Sequence, residues 1–403
     1  MRDSASARRL IDPQTLDDPY PFYRELRQTA PVWQVPGTKI VVVTRHALLE
    51  EAARRVEDFS SHLTGVLYRS WNGTPARLTR DSLPVQALAT ADPPAHALHR
   101  NAVFPELVAR KMSAMAPDIE QVTDACIGRL LAARSGDFMH LVANPLPMTV
   151  VSRLVGFKGS DIDRLLRAAF DSTAVVDGTM NLFQLLFCLV RSAMIQRWIG
   201  GQLRAASRDG SDILSAIRRS VDDGTLRTME GRAILHILLA AGGESTTSLL
   251  GNAVRRLAED PELQAMLRAQ PERIPAFLEE VLRLESPFRY HLRSVPKDTR
   301  LGDVDIPRRA TVLMFWSAGN RDPEVFDRAD EIDLDRPRKH MTFGRGIHTC
   351  VGAPLARLEG AIVLRALLAR TRDIALDASR PPAWVKSLQV RRHEHLTIRV
   401  TPA

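Results

Sequence analysis

The run Phe343-Gly344-Arg345-Gly346-Ile347-His348-Thr349-Cys350-Val351-Gly352-Ala353-Pro354-Leu355-Ala356-Arg357 sets a glycine-containing loop and one cysteine against the start of a helix. From about Ala353, apolar Leu355, Leu358, Ile362, Leu364, Leu367 and Leu368 recur with helical spacing. Cys350 thus stands where free N–H groups and the helix dipole favour a thiolate. Gly344 and Gly346 let the preceding backbone turn tightly. Gly352 removes a side chain where a flat cofactor would collide with the backbone, and Phe343 can shield the sulphur from water. A zinc site wants about four N or S ligands, so Cys350 with His340 and His348 is short of sulphur partners. A cysteine nucleophile with a distant histidine leaves the clearance at Gly352 unexplained. A purely structural loop stays open on local physics alone.

Two further segments stand out. Gly231 to Leu257 is apolar over much of its circumference, the pattern of a helix that runs through a core. At its middle lie Gly242, Gly243, Glu244, Ser245, Thr246 and Thr247. Two glycines and a carboxylate oppose helix propensity and burial there, and such local violations mark functional sites. Pro275 to Glu285 forms another helix, with Glu280 and Arg283 three apart on one face. Lys39 to Thr44, Thr311 to Trp316 and Leu396 to Val400 read as short strands. They do not alternate regularly with helices, which argues against a doubly wound sheet.

The 403 residues are 45% hydrophobic and 25% charged, the balance of a globular chain large enough to bury an internal cofactor. Cys126 and Cys188 sit in apolar helical surroundings as inert buried thiols, and three scattered cysteines suit a reducing cytoplasm. Met1 to Arg9 is polar, and the apolar stretch Ala233 to Ala241 is too short to span a bilayer, so no membrane anchor is expected. The formal charge of +8 comes from dispersed arginines without interleaved aromatics, which argues against nucleic acid and leaves room for an acidic partner.

The cysteine run resembles the ligand signature of bacterial cytochromes P450 at every defining position. The family's other motifs follow in order. Glu280-Val-Leu-Arg283 resembles its Glu-x-x-Arg, and Arg336 in Asp333-Leu-Asp-Arg336 would complete that ion network. His96-Ala-Leu-His-Arg100 resembles the His-x-x-x-Arg that neutralises haem propionates, with Arg293 and His348 as further partners. Carboxylates entering a protein interior need such partners in any case. Ala241-Gly242-Gly243-Glu244-Ser245 resembles the oxygen-binding bend of the central helix, with the usual Thr replaced by Ser245 and Thr246 next. The likeness extends from about Asp18 to the C-terminus.

The resemblance implies an α+β, mainly α, fold of one domain over 1–403, a long central helix crossing the haem, and a smaller β-rich region. It implies haem b (iron protoporphyrin IX), with Cys350 as axial ligand and Phe343, Gly344 and Gly352 in the ligand loop. The activity implied is that of an oxidoreductase, a monooxygenase that hydroxylates a small organic substrate. Ala241 and Gly242 would leave space for dioxygen, Ser245 would bond the Ala241 carbonyl and open the helix locally, and Glu244 would relay protons from water. Electrons would come from a ferredoxin and its reductase, steered by Arg110, Lys111, Arg338, Lys339 and Arg345. A cytoplasmic monomer is expected. Residues 61–90, 170–199, 288–292 and 386–393 would line the pocket. There Arg69, Arg77, Arg289, Tyr290, His291, Arg391 and Arg392, beside Leu182, Phe183, Leu185 and Phe187, suggest a substrate with a polar or acidic end and an apolar body. The rival function is a haem-based sensor, against which Glu244 and Ser245 argue, since gas binding alone needs no proton relay.

Overall fold

The computed structural model describes residues 7–79 and 85–403, and among these the side chains of residues 109 and 110 are not described. The helices that frame the site are, in chain order, α1 (Ala95–Val103), α2 (Pro145–Val155), α3 (Ile162–Ala174), α4 (Leu182–Ala205), α5 (Thr228–Glu259), α6 (Ile274–Leu284) and α7 (Ala353–Ala369). The fold is α+β and mainly helical, as expected. α5 is the longest element described, at 32 residues, and Leu235, Leu239, Leu249, Leu250, Val254 and Leu257 are fully buried along it. Glu230 accepts the Arg227 N–H at 2.8 Å and closes its N-terminus. The two central glycines answer to packing: a Cβ on Gly242 would lie 2.9 Å from Val151 Cγ2, and one on Gly243 would lie 2.3 Å from Met148 Cε. A side chain at Gly242 would force Val151 of α2 to shift, and one at Gly243 would displace the flexible end of Met148.

The expected strands form close to their predicted bounds. Val32–Gln34 (β1), Ile40–Val43 (β2), His291–Ser294 (β3) and Thr311–Met314 (β4) make a sheet of order β1-β2-β4-β3. β2 and β4 are parallel and fully buried, matching their unbroken apolar runs Ile-Val-Val-Val and Thr-Val-Leu-Met. Thr397–Pro402 pairs with Thr371–Leu376 and Ser135–Asp137 in a second sheet.

One expectation needs amending. By length and composition α4 and α5 could each cross a membrane. α5 is the core helix, whereas the apolar window of α4 is only 22% buried.

The Glu280 network locks α6 to the segment before the cysteine loop. Arg283 Nε and Nη2 donate to Glu280 Oε1 and Oε2 at 2.7 and 2.8 Å, and Arg336 Nε reaches Oε2 at 3.2 Å. Arg283 also donates to the carbonyls of Asn320, Ala329 and Glu331. Burial pushes the Glu280 carboxyl up, but the bonds and charge of Arg283, the Asp333 N–H and the charge of Arg336 together outweigh it and leave the group below its ordinary value. Glu280→Gln keeps the shape and strands a buried guanidinium, at a cost of roughly 3–5 kcal/mol. A clear drop in thermal midpoint by circular dichroism is expected; an unchanged midpoint would mean that the network does not hold the fold.

Candidate active site

Cys350 precedes α7, with Gly352 at the N-cap position and Pro354 in the first turn. Its N–H donates to Phe343 O at 2.9 Å, and Gly344 N–H to Met341 O at 2.8 Å, so the loop closes on itself. Gly344 and Gly346 have φ of +71° and +70°, which L side chains rarely adopt, and a Cβ on Gly346 would lie 2.9 Å from Ala53 O. Cys350 is surrounded by the protein, and the surface it exposes is turned to a cavity. Burial raises the thiol pKa, while the Gly352 and Ala353 N–H groups and the charges of Arg357 and Arg100 pull it down. The expected lowering by the helix start is therefore present but, in the protein without a metal, smaller than the effect of burial.

The cavity lies between this loop and α5 and has a volume of about 250 Å³. Ala241, Gly242, Ser245, Thr246 and Leu249 form the α5 wall, and Phe343, Gly344, Cys350 and Gly352 the opposite one. A Cβ on Gly352 would meet nothing closer than Cys350 Sγ, at 3.9 Å, so a side chain there would project into the slot.

The four residues expected at propionates do converge on the cavity: His96, Arg100, Arg293 and His348 all line it. The His96 and His348 rings are 4.3 Å apart, and His348 Nε2 is in hydrogen-bond contact with Ser61 Oγ at 2.9 Å. Burial, then the charge of Arg293, drives His348 down to about 3. Arg100 donates to Thr349 O at 3.0 Å. Arg293 is buried, donates to Leu292 O at 2.8 Å, and has no carboxylate partner among the described residues. Burial lowers its guanidinium to about 10. Two carboxylates from a cofactor would satisfy this end, so the residues fit haem.

On α5 the bond expected of Ser245 is present, Oγ donating to Ala241 O at 2.7 Å. The helix nonetheless runs unbroken through it, so the expected local opening is absent. Glu244 does not line the cavity. It is buried one residue earlier on another face of α5, where Arg392 Nε donates to it at 2.6 Å and Thr173 Oγ1 at 3.2 Å. Burial raises its pKa against the opposing charge of Arg392. No open path to water is evident from its partners.

Of the ranges expected to line the pocket, 61–90 contributes Leu88 and Ala89 and 288–292 contributes Phe288 and His291, whereas 170–199 and 386–393 contribute nothing. Arg289 is buried and donates to Ser387 O and Leu16 O, Arg391 pairs with Glu285 at 2.9 Å, and Arg392 with Glu244. Tyr290 donates to the carbonyls of Val176 and Asp177. Arg77 donates to Arg309 O, and Arg69 is exposed. Buried guanidinium groups need acceptors, and these find them inside the scaffold instead of in the cavity. Leu185 belongs to the core, while Leu182, Phe183 and Phe187 point to solvent. Residues 80–84 of the predicted lining 61–90 lie outside the described residues, as does the side chain of Arg110.

Three features escaped the sequence reading. Trp316 Nε1 donates to His291 Nδ1 at 2.6 Å, and burial holds His291 neutral with a pKa of about 4. Indole N–H is only a donor, so the remaining proton of His291 sits on Nε2. Glu279 accepts from Arg357 Nε at 2.6 Å and pairs with His340 at 3.0 Å, which places both on the scaffold and removes His340 from any zinc set. Glu359 lines the cavity from α7 with Oε2 unpartnered among the described residues, and burial pushes its carboxyl up to about 8. An acid four residues after Leu355, within the apolar stripe of α7, was the available signal.

Two outcomes follow from these burials. Arg293→Leu removes a buried, unpaired cation, so the haem-free protein should melt no lower than wild type while haem is lost faster to apomyoglobin. Unchanged haem retention would exclude Arg293 from the cofactor's partners. Glu359 binds more protons folded than unfolded between its ordinary 4.5 and about 8, so its contribution to stability is present at low pH and falls as pH rises through that window. Glu359→Gln should therefore melt above wild type at pH values beyond about 8, with the gap closing below about 4.5. A gap independent of pH would show that Glu359 does not titrate in this way.

Comparison with known proteins agrees with this geometry. The model of the family Cytochrome P450 matches residues 192–382. The chain is 38% identical over 396 residues to Cytochrome P450 144 of Mycobacterium tuberculosis, covering 96% of this chain and 90% of that one. It is 31% identical to 6-deoxyerythronolide B hydroxylase of Saccharopolyspora erythraea, covering 95% and 96%. The structure of a cytochrome P450 from Chondromyces apiculatus superposes with a TM-score of 0.83 at 30% identity, covering 98% of each chain. One from Bacillus megaterium in complex with testosterone does so with 0.85 at 27%, covering 96% and 99%.

Proposed function

The chain belongs to the cytochrome P450 family and is a haem b monooxygenase, and we propose that it hydroxylates a largely apolar organic substrate, with Cys350 as the residue that would hold the haem iron and a ferredoxin system as electron source. The carrying observation is one cavity that has Cys350 on one wall and Ala241, Gly242 and Ser245 on the other, with Arg100, Arg293, His96 and His348 all lining it. Haem held by the Cys350 thiolate would supply dioxygen activation. Arg100, Arg293, His96 and His348 would hold that group by its carboxylates. Ser245 holds a hydroxyl on the cavity wall, anchored to Ala241 O, where it can pass a proton inward. Glu244 can feed that hydroxyl only by leaving Arg392 and Thr173, so its role in the relay rests on side-chain motion.

The substrate space is bounded by Leu88, Ala89, Ile237, Leu238 and Phe288, with His291 as a polar group. Its Nε2–H can donate to an acceptor oxygen on an otherwise apolar molecule, the usual combination of apolar lining and few orienting groups. The absence of Arg289, Arg391 and Arg392 from the lining turns the reading away from an acidic substrate. Relatives named for hydroxylating 6-deoxyerythronolide B and beta-dihydromenaquinone-9, and the relative that binds testosterone, accord with an apolar ligand. For the electron donor, Arg338 and Lys339 are exposed close to the cysteine loop, Arg345 donates to Lys339 O, and Lys111 pairs with Glu106. These cations support docking of an acidic ferredoxin in the cytoplasm.

The reduced, carbon monoxide-treated protein should show the strongly red-shifted Soret band of thiolate ligation, and Cys350→Ala should lose it. A wild-type spectrum without that shift overturns the reading. Serine lacks the methyl that restricts a threonine rotamer. Accordingly Ser245→Ala should raise peroxide released per NADPH consumed, and Ser245→Thr should lower it; coupling unchanged in both would remove Ser245 from proton delivery.

A further inference from the structure

The apolar residues of α4 that the cavity does not use form a surface of their own. At 100° per residue, Phe183, Leu186, Phe187, Val190 and Met194 share a stripe about 100° wide. Phe183 is 86% exposed, and Leu186, Phe187 and Met194 are each near 60%. Leu185, Cys188, Ile195, Ile199 and Leu203 occupy the opposite face and are buried. The helix is thus fastened to the fold along one side and bare along the other. Beside its N-terminus lies the hairpin of Gly65–Arg69 and Pro75–Thr79, tied on by Arg69 N–H donating to Met180 O at 2.8 Å. The turn of that hairpin carries Trp71, 98% exposed, and its second strand Leu78, 52% exposed.

The charges on these two elements are of one sign. Residues 65–79 and 182–205 contain Arg69, Arg77, Arg191, Arg197 and Arg204 and no Asp or Glu. Arg191 lies over the Phe187 ring and is paired with Asp171 of α3. Asp177, in the connecting segment, is buried and bonded to Ser387 and Gln389 N–H. Arg69, Arg197 and Arg204 are exposed and have no carboxylate partner among the described residues.

We infer that α4 and the Gly65–Thr79 hairpin form a docking face for an anionic lipid bilayer, with α4 lying in the plane of the headgroups. An exposed apolar stripe flanked by arginines is what interfacial helices present, and Trp favours the same depth. Crossing the bilayer is excluded for a helix whose other face is packed into the core. A second copy is a poor occupant, because a two-fold contact through this face brings Arg69, Arg197 and Arg204 against an equally basic surface. Each exposed arginine instead gains from negative headgroups, with an attraction that salt screens.

The test uses the haem-loaded protein and flotation with vesicles of phosphatidylglycerol and phosphatidylcholine in equal parts, or of phosphatidylcholine alone. Binding to the mixed vesicles, weakened by salt and reduced about tenfold or more in Phe183→Ser/Phe187→Ser and in Trp71→Ser, is the expected result. Both variants change exposed side chains and should keep the carbon monoxide spectrum, which reports on folding. The inference is overturned by no binding to the mixed vesicles, by equal binding to both kinds, or by binding that the variants leave intact. A concentration-dependent dimer that the variants abolish would also overturn it, by assigning the face to a second copy.

Discussion

Two adjacent carboxylates, Glu279 and Glu280, hold the site together. Neighbours on a helix point about 100° apart, so the pair reaches in two directions from α6. Glu280 takes Arg283 and Arg336 and fixes the segment that leads toward the cysteine loop. Glu279 takes Arg357 and His340, one residue on each side of that loop. Cys350 is thereby positioned by charges that never touch it. Such buried pairs add little net stability over apolar packing, but losing one partner is costly, which makes the arrangement rigid and specific. A ligand atom that must meet a metal needs that kind of support from its surroundings.

The parts legible in the sequence were those whose reason is local. The loop Phe343–Gly352 declares itself through glycines that the backbone conformation requires, α5 through its apolar pattern, and α6 and α7 through periodicity with a proline in the first turn. The strands β2 and β4 were readable because continuous apolar runs suit a buried parallel pair. Partners distant in sequence were not readable. Arg391 and Arg392 are neighbours in the chain, yet one pairs with Glu285 and the other with Glu244, over separations of 106 and 148 residues. Nothing in local spacing distinguishes an arginine aimed at a ligand from one that satisfies a buried carboxylate.

α4 shows a different limit. Apolar residues occupy both of its faces, so periodicity states that the segment is helical without saying which face turns inward. The family resemblance places Phe183 and Phe187, within 170–199, at the pocket; the packing of Leu185, Cys188 and Ile195 puts them outside. Glu244 errs in the opposite sense. A carboxylate that breaks the burial rule must find a partner, and Arg392 draws Glu244 away from the cavity that its neighbour Ser245 lines.

The cavity carries the same logic into stability. Without a cofactor it leaves Arg293 buried and unpaired, His291 and His348 neutral by burial, and Glu359 holding its proton near neutral pH. It also leaves a large void between α5 and α7, where packed atoms would otherwise attract one another. Each of these costs falls on the empty protein. A bound group whose carboxylates met Arg293 would remove part of these costs, and any ligand bound only by the folded state stabilises it by mass action. Folding and cofactor uptake would then be one coupled equilibrium, with the residues that are costly in the cavity also the ones that would hold the group.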